Sequence, residues 1–347
     1  MEIKKSYYGT MPDGRVVHSF TLTNRKGTSV SLLTLGATLD KFIFAGSSGE
    51  PTDIIVGFDD LEGHVERSDY QGVVVGQYAN RIGNASFVIN GTEYKVTPND
   101  KGNCLHGGGE YSSAVWDGEI TDDKSVTFTY TSPDMTNGFP GTVNVKVVYS
   151  LSEDDKLTLS YSAVSDRDTV INLTNHAYFN LNGHPSETVL DHCLTVDAER
   201  YTPIDEKSIP FGELKSVKGT PFAFYSAKKI GDDICKDDAQ LRNGSGYDHN
   251  FCIDGWDGTL RRCAKVYSEK SGIALTVFTT LPGVQLYTGN FLKGLPGKKG
   301  EPSVRRGAFC LETQYYPDTP NNPSYPSCFF KAGDKYSSVT VFALSAE

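Results

Sequence analysis

Glu312 lies within residues 304–322, VRRGAFCLETQYYPDTPNN, at the end of an apolar, strand-like run that passes directly into a turn-rich polar loop. A carboxylate at that junction can face a cleft while its backbone stays anchored in a sheet. A solvated glutamate at a strand end is the commoner fate of the residue type. Its company sets Glu312 apart: His176 sits in INLTNHAYFNL, His106 in NCLHGGG and Arg81 in GQYANRIG, each at the edge of a strand-like run beside Asn or Gly. An imidazole, with a reference pKa of about 6.5, is the natural proton donor at neutral pH. Taken singly, a histidine in an apolar strand is more often a satisfied core residue. The glycines after His106 let backbone approach a ligand closely, or simply make a turn. Arg81, in a mostly apolar stretch, needs a carboxylate or a hydroxyl-rich ligand to satisfy its donors. Asp248 and His249 stand at the head of an apolar run in GYDHNF, and Gln285 in LPGVQLYTGN is a neutral donor and acceptor suited to hydroxyls. The other histidines, at 18, 64, 184 and 192, have no such setting and read as surface or packing residues.

A histidine acid and a carboxylate base among hydrogen-bonding groups suit proton transfer on a polyhydroxylated molecule. The marks of several other chemistries are missing: the sequence has no GxSxG elbow, H-E-x-x-H pair, P-loop or dinucleotide fingerprint in its strand–helix context. The histidines are dispersed along the chain, so their spacing predicts no metal site.

The elements that must carry these residues are strands. Period-2 and β-branched runs at 16–23, 29–44, 125–131, 143–150, 157–164, 273–280 and 338–344 are bounded by Gly, Asn, Asp, Pro or Ser. In residues 87–96, FVINGTEYKV, the Asn90-Gly91 pair between two alternating runs signals a type I′ hairpin, because both turn residues need positive φ. Residues 152–156, SEDDK, read as a longer hairpin loop, and a short helix is expected around 231–241. The 35 glycines and 16 prolines punctuate the whole chain without gathering into a linker, and no repeat is present. The expected fold is all-β, one large antiparallel β-sandwich over residues 1–347. The site would then be assembled from strand ends and the inner face of a curved sheet.

Composition narrows the partners. With 43 acidic and 33 basic residues the formal net charge is −10, which argues against nucleic acid and anionic membrane surfaces. No run of about 18 apolar residues occurs, so no membrane span is expected. The start, MEIKKSYYGTMPDG, lacks an apolar segment of signal-peptide length, and the expected location is cytoplasmic. Seven cysteines, an odd count without C-x-x-C, fit reduced thiols better than a disulfide framework or a zinc site.

At this level the sequence resembles the aldose 1-epimerases, or galactose mutarotases. The matching pieces are ANRIGNASF at 79–87, NDKGNCLHGG at 99–108, LTNHAYFNLNG at 173–183, YDHNF at 247–251, PGVQLYTGN at 282–290 and LETQYYPDTPN at 311–321, in the family's order. The resemblance implies a mutarotase-like supersandwich and a cofactor-free enzyme interconverting the α and β anomers of aldohexoses such as galactose and glucose. It places the acid on His176 and the base on Glu312. It places sugar-binding roles on Arg81, His106 and Asp248, with further hydroxyl contacts from Asn80 and Gln285. It implies no partner beyond the aldohexose, the chain acting as monomer or homodimer. Two positions depart from the family pattern: Gln77, where many members have arginine, and the Tyr315-Tyr316 pair, which would bear on sugar preference.

Two other readings compete. An epimerase for a phosphorylated hexose would need added basic groups, for which Arg305 and Arg306 are the candidates. A non-catalytic carbohydrate-binding protein would need neither His176 nor Glu312.

Overall fold

The structure is a computed structural model that describes residues 1–347 except 48, 67–68, 185–186 and 295. Its largest sheet has nine strands, in the order Asp117–Ile120, Ser125–Ser132, Val143–Leu151, Lys156–Ser165, Lys335–Ala346, Ile273–Thr279, Arg261–Ser268, Cys193–Val196 and Lys228–Lys229. A five-stranded sheet is made by the first fifty-odd residues, Glu2–Thr10 through Pro51–Asp53. A second has the order Lys215–Ser216, Arg200–Tyr201, Asp248–Cys252, Gly283–Tyr287 and Cys310–Gln314. Every strand pairing within these sheets is antiparallel. One apolar cluster joins all three, with Phe20 and Phe42 from the N-terminal sheet, Val145, Leu159 and Phe342 from the largest, and Phe251, Leu286 and Leu311 from the third.

The alternation read in the sequence produces these faces. Val143–Leu151 buries every second residue, so one side of the strand packs on the core and the other looks outward. The strands Asp248–Cys252, Gly283–Tyr287 and Cys310–Gln314 differ, being buried at every position. One face, with Phe251, Val284, Leu286 and Leu311, packs on the apolar core, and the other carries Asp248, Asn250, Gln285, Glu312 and Gln314. Asn90 (φ 51°) and Gly91 (φ 80°) join Ser86–Ile89 to Thr92–Lys95 as the hairpin signal predicts.

Two element boundaries depart from the sequence reading. The run at 29–44 is two strands, Ser29–Leu33 and Thr38–Ala45. The chain reverses between them at Gly36 (φ 62°) and Ala37 (φ 47°), and a Cβ at Gly36 would lie 2.6 Å from the Ser112 carbonyl oxygen. The apolar pattern continues across this turn because both arms face the same core, which hid the break. The helix around 231–241 is two separate pieces, a 3₁₀ turn at Ile230–Asp232 and a helix at Ala239–Asn243 capped by the Asp238 carboxylate. Among the described residues no helix is long and apolar enough to cross a membrane. All seven cysteines are free thiols, five of them buried.

Candidate active site

Three central strands fix half of the site through their register. Asn250, Gln285 and Glu312 face one another in one cross-strand row, flanked by the rows Asp248–Tyr287–Cys310 and Cys252–Gly283–Gln314. Between these positions lie Phe251, Val284, Leu286 and Leu311, all buried in the core. Each contributes about 1.5–3 kcal/mol on burial, so the polar rows are held by the apolar residues beside them. Glu312 is therefore no strand-end carboxylate. It sits at the middle of Cys310–Gln314 and is 2 % exposed.

The other half comes from loops pinned to strand ends. Thr174–Asn175 pairs with Val74–Val75. Just beyond it the His176 amide donates to the Val73 carbonyl (2.9 Å), and its carbonyl accepts from the Gly72 amide (2.9 Å). Arg81 pairs with Leu105 across a short ladder, which sets Asn80 against His106. The His106 amide donates to the Asn80 carbonyl (3.0 Å), and the Asn80 amide donates to His106 Nδ1 (3.2 Å). Both residues are held in the left-handed region, at φ 65° and 51°. Asn tolerates that conformation; for His it is strained and persists only under such reciprocal bonding.

These elements enclose a cleft of about 370 Å³, of the size that small-molecule sites occupy. It is lined by Asn80, Arg81, His106, His176, Asp248 and Glu312 among others. His176 Nε2 and Glu312 Oε1 are 3.6 Å apart, and Glu312 Oε2 is buried without a hydrogen-bond partner among the described residues. Arg81 Nε donates to Asp100 at 2.7 Å, and its Nη1 lies 3.8 Å from Asp248. The Arg81 charge survives burial because Asp248 and Asp100 outweigh the desolvation. His176 stacks on Tyr178, rings 5.0 Å apart and 16° from parallel, and Tyr178 is fixed by its hydroxyl bond to the Asp69 carbonyl.

Burial governs protonation here. It pulls His176 down to about 4. It pushes the Glu312 carboxyl well above the usual carboxylate range, Asp248 adding to the push and Arg81 opposing it. It also drives His106 well below its ordinary value, with His176 and Arg81 adding to the effect, so His106 is neutral. The two shifts together widen the pH range over which the His176–Glu312 pair holds one proton between them.

Six of the seven residues singled out in the sequence line this cleft. Gln285 does not. It shares a row with Glu312 but is held off the cleft, its amide nitrogen donating to Asp248 Oδ1 at 2.7 Å and its oxygen accepting from Gln314 at 3.3 Å. His249 points to the opposite face, its Nδ1 accepting from the Asp248 amide and its ring against Phe222. Tyr315 and Tyr316 are not among the cleft-lining residues either, so no contact supports their bearing on sugar preference. Gln77 is buried and bonded to Thr169 and Val170.

Sequence reasoning passed over Asp100, Asn250 and Gln314. All three stand inside quoted motifs, but their signal is tertiary. The Gln314 amide donates to Gln285 and Asn250, both at 3.3 Å, and its oxygen accepts from Asn80 at 3.5 Å. The polar groups thus close a ring: Arg81, Asn80, Gln314, Gln285, Asp248 and back to Arg81.

The histidine spacing predicts no ligand cluster, yet the fold gathers one. A ring nitrogen of His106, one of His176 and a carboxylate oxygen of Glu312 all lie within 4.8 Å of one another. His106 is poorly suited as a metal ligand there. Its Nδ1 accepts from the Asn80 amide, so in the neutral ring the proton is on Nε2, and the atom left for the cleft has no lone pair to offer.

The family model for aldose 1-epimerase matches residues 18–343. The chain belongs to the aldose 1-epimerase family. It is 38 % identical to the galactose mutarotase of Bos taurus over 348 residues, covering 99 % of each chain. It is 37 % identical to the aldose 1-epimerase of Escherichia coli K12 over 339 residues, covering 97 % of each. Among solved structures, the galactose 1-epimerase of Lactobacillus acidophilus NCFM superposes with a TM-score of 0.87 at 26 % identity, over 99 % of both chains. The GalM/aldose epimerase homologue from C. elegans gives 0.87 at 28 %, again over 99 % of both. The mutarotase-like β-sandwich expected of the family is thus the fold of this chain.

Proposed function

We propose that this aldose 1-epimerase family member interconverts the α and β anomers of aldohexoses, with Glu312 as base and His176 as acid. The observation that carries the residue assignment is the 3.6 Å pairing of His176 Nε2 with Glu312 Oε1 inside a cleft bordered by Arg81, His106 and Asp248. Membership of the family and full-length likeness to mutarotases support the reaction.

The mechanism follows from the shared proton. Ring opening starts with the proton on His176 and Glu312 as carboxylate. Glu312 takes the proton from the C1 hydroxyl, the C1–O5 bond breaks as C1=O1 forms, and His176 gives its proton to O5. The pair is then neutral, with Glu312 protonated and His176 free. The aldehyde turns about C1–C2 and presents its other face. Closure runs the transfers backwards: His176 takes the O5 proton, O5 attacks C1, and Glu312 returns a proton to O1. Two proton arrangements of one pair therefore serve opening and closing. Arg81 and Asp248, with Asn80, hold the sugar hydroxyls while C1 rotates.

The cleft favours a neutral sugar over a phosphorylated one. Four carboxylates line it, Asp69, Asp100, Asp248 and Glu312, against Arg81 and Lys101. Arg305 and Arg306 do not line the cleft; they bond to the carbonyls of Asn290 and Ser245 and to Cys235 Sγ. A binding protein without catalysis has no use for a buried acid–base pair. The reading takes residues 1–347 as one working unit, which the common apolar core supports. Polarimetry with freshly dissolved α-galactose, α-glucose and α-glucose 6-phosphate tests it. The first two should mutarotate faster than buffer alone and the third should not; preference for the phosphate ester would overturn it.

A further inference from the structure

We propose that His106 is a catalytic residue as well as a sugar-holding one: its neutral Nε2–H donates to the anomeric oxygen while that oxygen carries negative charge. The inference deepens the reading above and rests on it. It starts from geometry. One nitrogen of His106, one of His176 and one oxygen of Glu312 lie no more than 4.8 Å apart pairwise. Three points so spaced share a position about 2.8 Å or less from each, which is hydrogen-bond distance. With O1 placed between Glu312 and His106, the base and the donor meet the same oxygen, and His176 lies near enough to reach the neighbouring O5.

The second observation is the fixed tautomer. His106 cannot turn a lone pair toward that oxygen without losing the Asn80 amide bond to Nδ1. The companion bond from the His106 amide to the Asn80 carbonyl holds the backbone as well. The ring is therefore a permanent donor aimed at one place, rigid at the cost of a left-handed backbone at a non-glycine residue.

The chemistry needs such a donor. When Glu312 removes the O1 proton, charge develops on O1 before the C1–O5 bond has fully broken. In closure, the same donor polarises the C1 carbonyl for attack by O5. A preorganised neutral N–H aimed at developing charge is a recurrent catalytic device, and a neutral imidazole has a precedent as such an electrophile. No proton leaves His106; it only donates a hydrogen bond, so the proton count of the reaction is unchanged.

The test compares His106→Gln, whose amide can still donate, with His106→Leu, which cannot. Anomer exchange is followed by NMR and sugar affinity by calorimetry, on proteins whose fold is verified by circular dichroism. His106→Leu should lower kcat by roughly 10²-fold with a much smaller change in affinity, and His106→Gln should recover most of that loss. Equal loss in both variants, or loss confined to affinity, would leave His106 a holder only. A wild-type measurement needs no variant: the ¹⁵N shifts of the His106 ring should report the Nε2–H tautomer at neutral pH, and an Nδ1–H tautomer or an imidazolium would overturn the proposal. Loss of exchange in all His106 variants alongside normal exchange in Glu312→Gln would instead sink the acid–base reading.

Discussion

Gln285 and Asp248 are joined by a 2.7 Å hydrogen bond from amide to carboxylate. The other Asp248 oxygen lies 3.8 Å from Arg81. If Asp248 holds the sugar as proposed, Gln285 acts on it through Asp248. Gln285→Leu should leave that carboxylate misaligned and partly unpartnered. A hydrogen bond to a charged group contributes about 1.5–3 kcal/mol, so KM should rise roughly 10- to 150-fold while kcat falls much less. Steady-state kinetics with galactose checks the split; an unchanged KM would show that Asp248 is placed without Gln285.

Glu312→Gln keeps size and one acceptor oxygen but cannot take the O1 proton. Turnover should fall by roughly 10²–10⁴-fold with sugar affinity largely kept. His176→Asn should do comparable damage, and the double variant should be less impaired than the product of the two, since the pair works as a unit. Anomer exchange by NMR beside calorimetry reads both quantities.

The pH–rate profile should be a wide plateau rather than a narrow bell centred on neutrality. In the proposed mechanism the active pair holds one proton. Adding a second is resisted because burial lowers His176 to about 4, and losing the only one is resisted because burial raises Glu312. In kcat/KM the acid limb should fall near pH 4 and the alkaline limb well above the usual carboxylate range. An acid limb at the ordinary histidine value of 6.5 would show that His176 is not desolvated in the free enzyme.

Stability should carry the same signature. Glu312 has a raised folded-state pKa, so the folded chain holds a proton that the unfolded chain releases above 4.5. The stability this proton provides is complete at low pH and drains away as pH rises toward the folded value, at up to about 1.4 kcal/mol per pH unit. Glu312→Gln has no such proton to lose. Relative to wild type, the variant should grow more stable with rising pH across that window, and parallel denaturation midpoints from pH 5 to 8 would contradict the raised pKa.

Glucose and galactose should both be substrates. They differ at C4, and among the described residues no group is set apart by the structure to bond one C4 epimer. Strong discrimination would require a buried polar group left unpaired by the wrong sugar. Activity on only one of the two, at matched high concentration, would reveal such a group.

What the sequence made legible was local chemistry and period. The alternation in residues 143–150 and the Asn90-Gly91 turn are decided by neighbouring residues and reappear as a half-buried strand and a hairpin. His176, Glu312, Arg81, His106 and Asp248 stood out by residue type and setting, and the fold brings them to one cleft. The break at Gly36 was hidden because it depends on Ser112, far along the chain. The holding of Gln285 off the cleft and the part played by Gln314 were hidden for the same reason, since a strand's own sequence does not reveal which row of its neighbour it meets. The tautomer of His106 depends on a backbone amide twenty-six residues away, which no side-chain pattern records.

The strands that carry Asp248, Gln285 and Glu312 are buried on both faces. Their amides should rank among the slowest in the protein to exchange with deuterium, because opening any of them would expose core and cleft together. Such a floor cannot flex to follow a reacting ligand. In the proposed mechanism, the half-turn of the aldehyde that distinguishes one anomer from the other is then performed by the sugar above a floor that holds still.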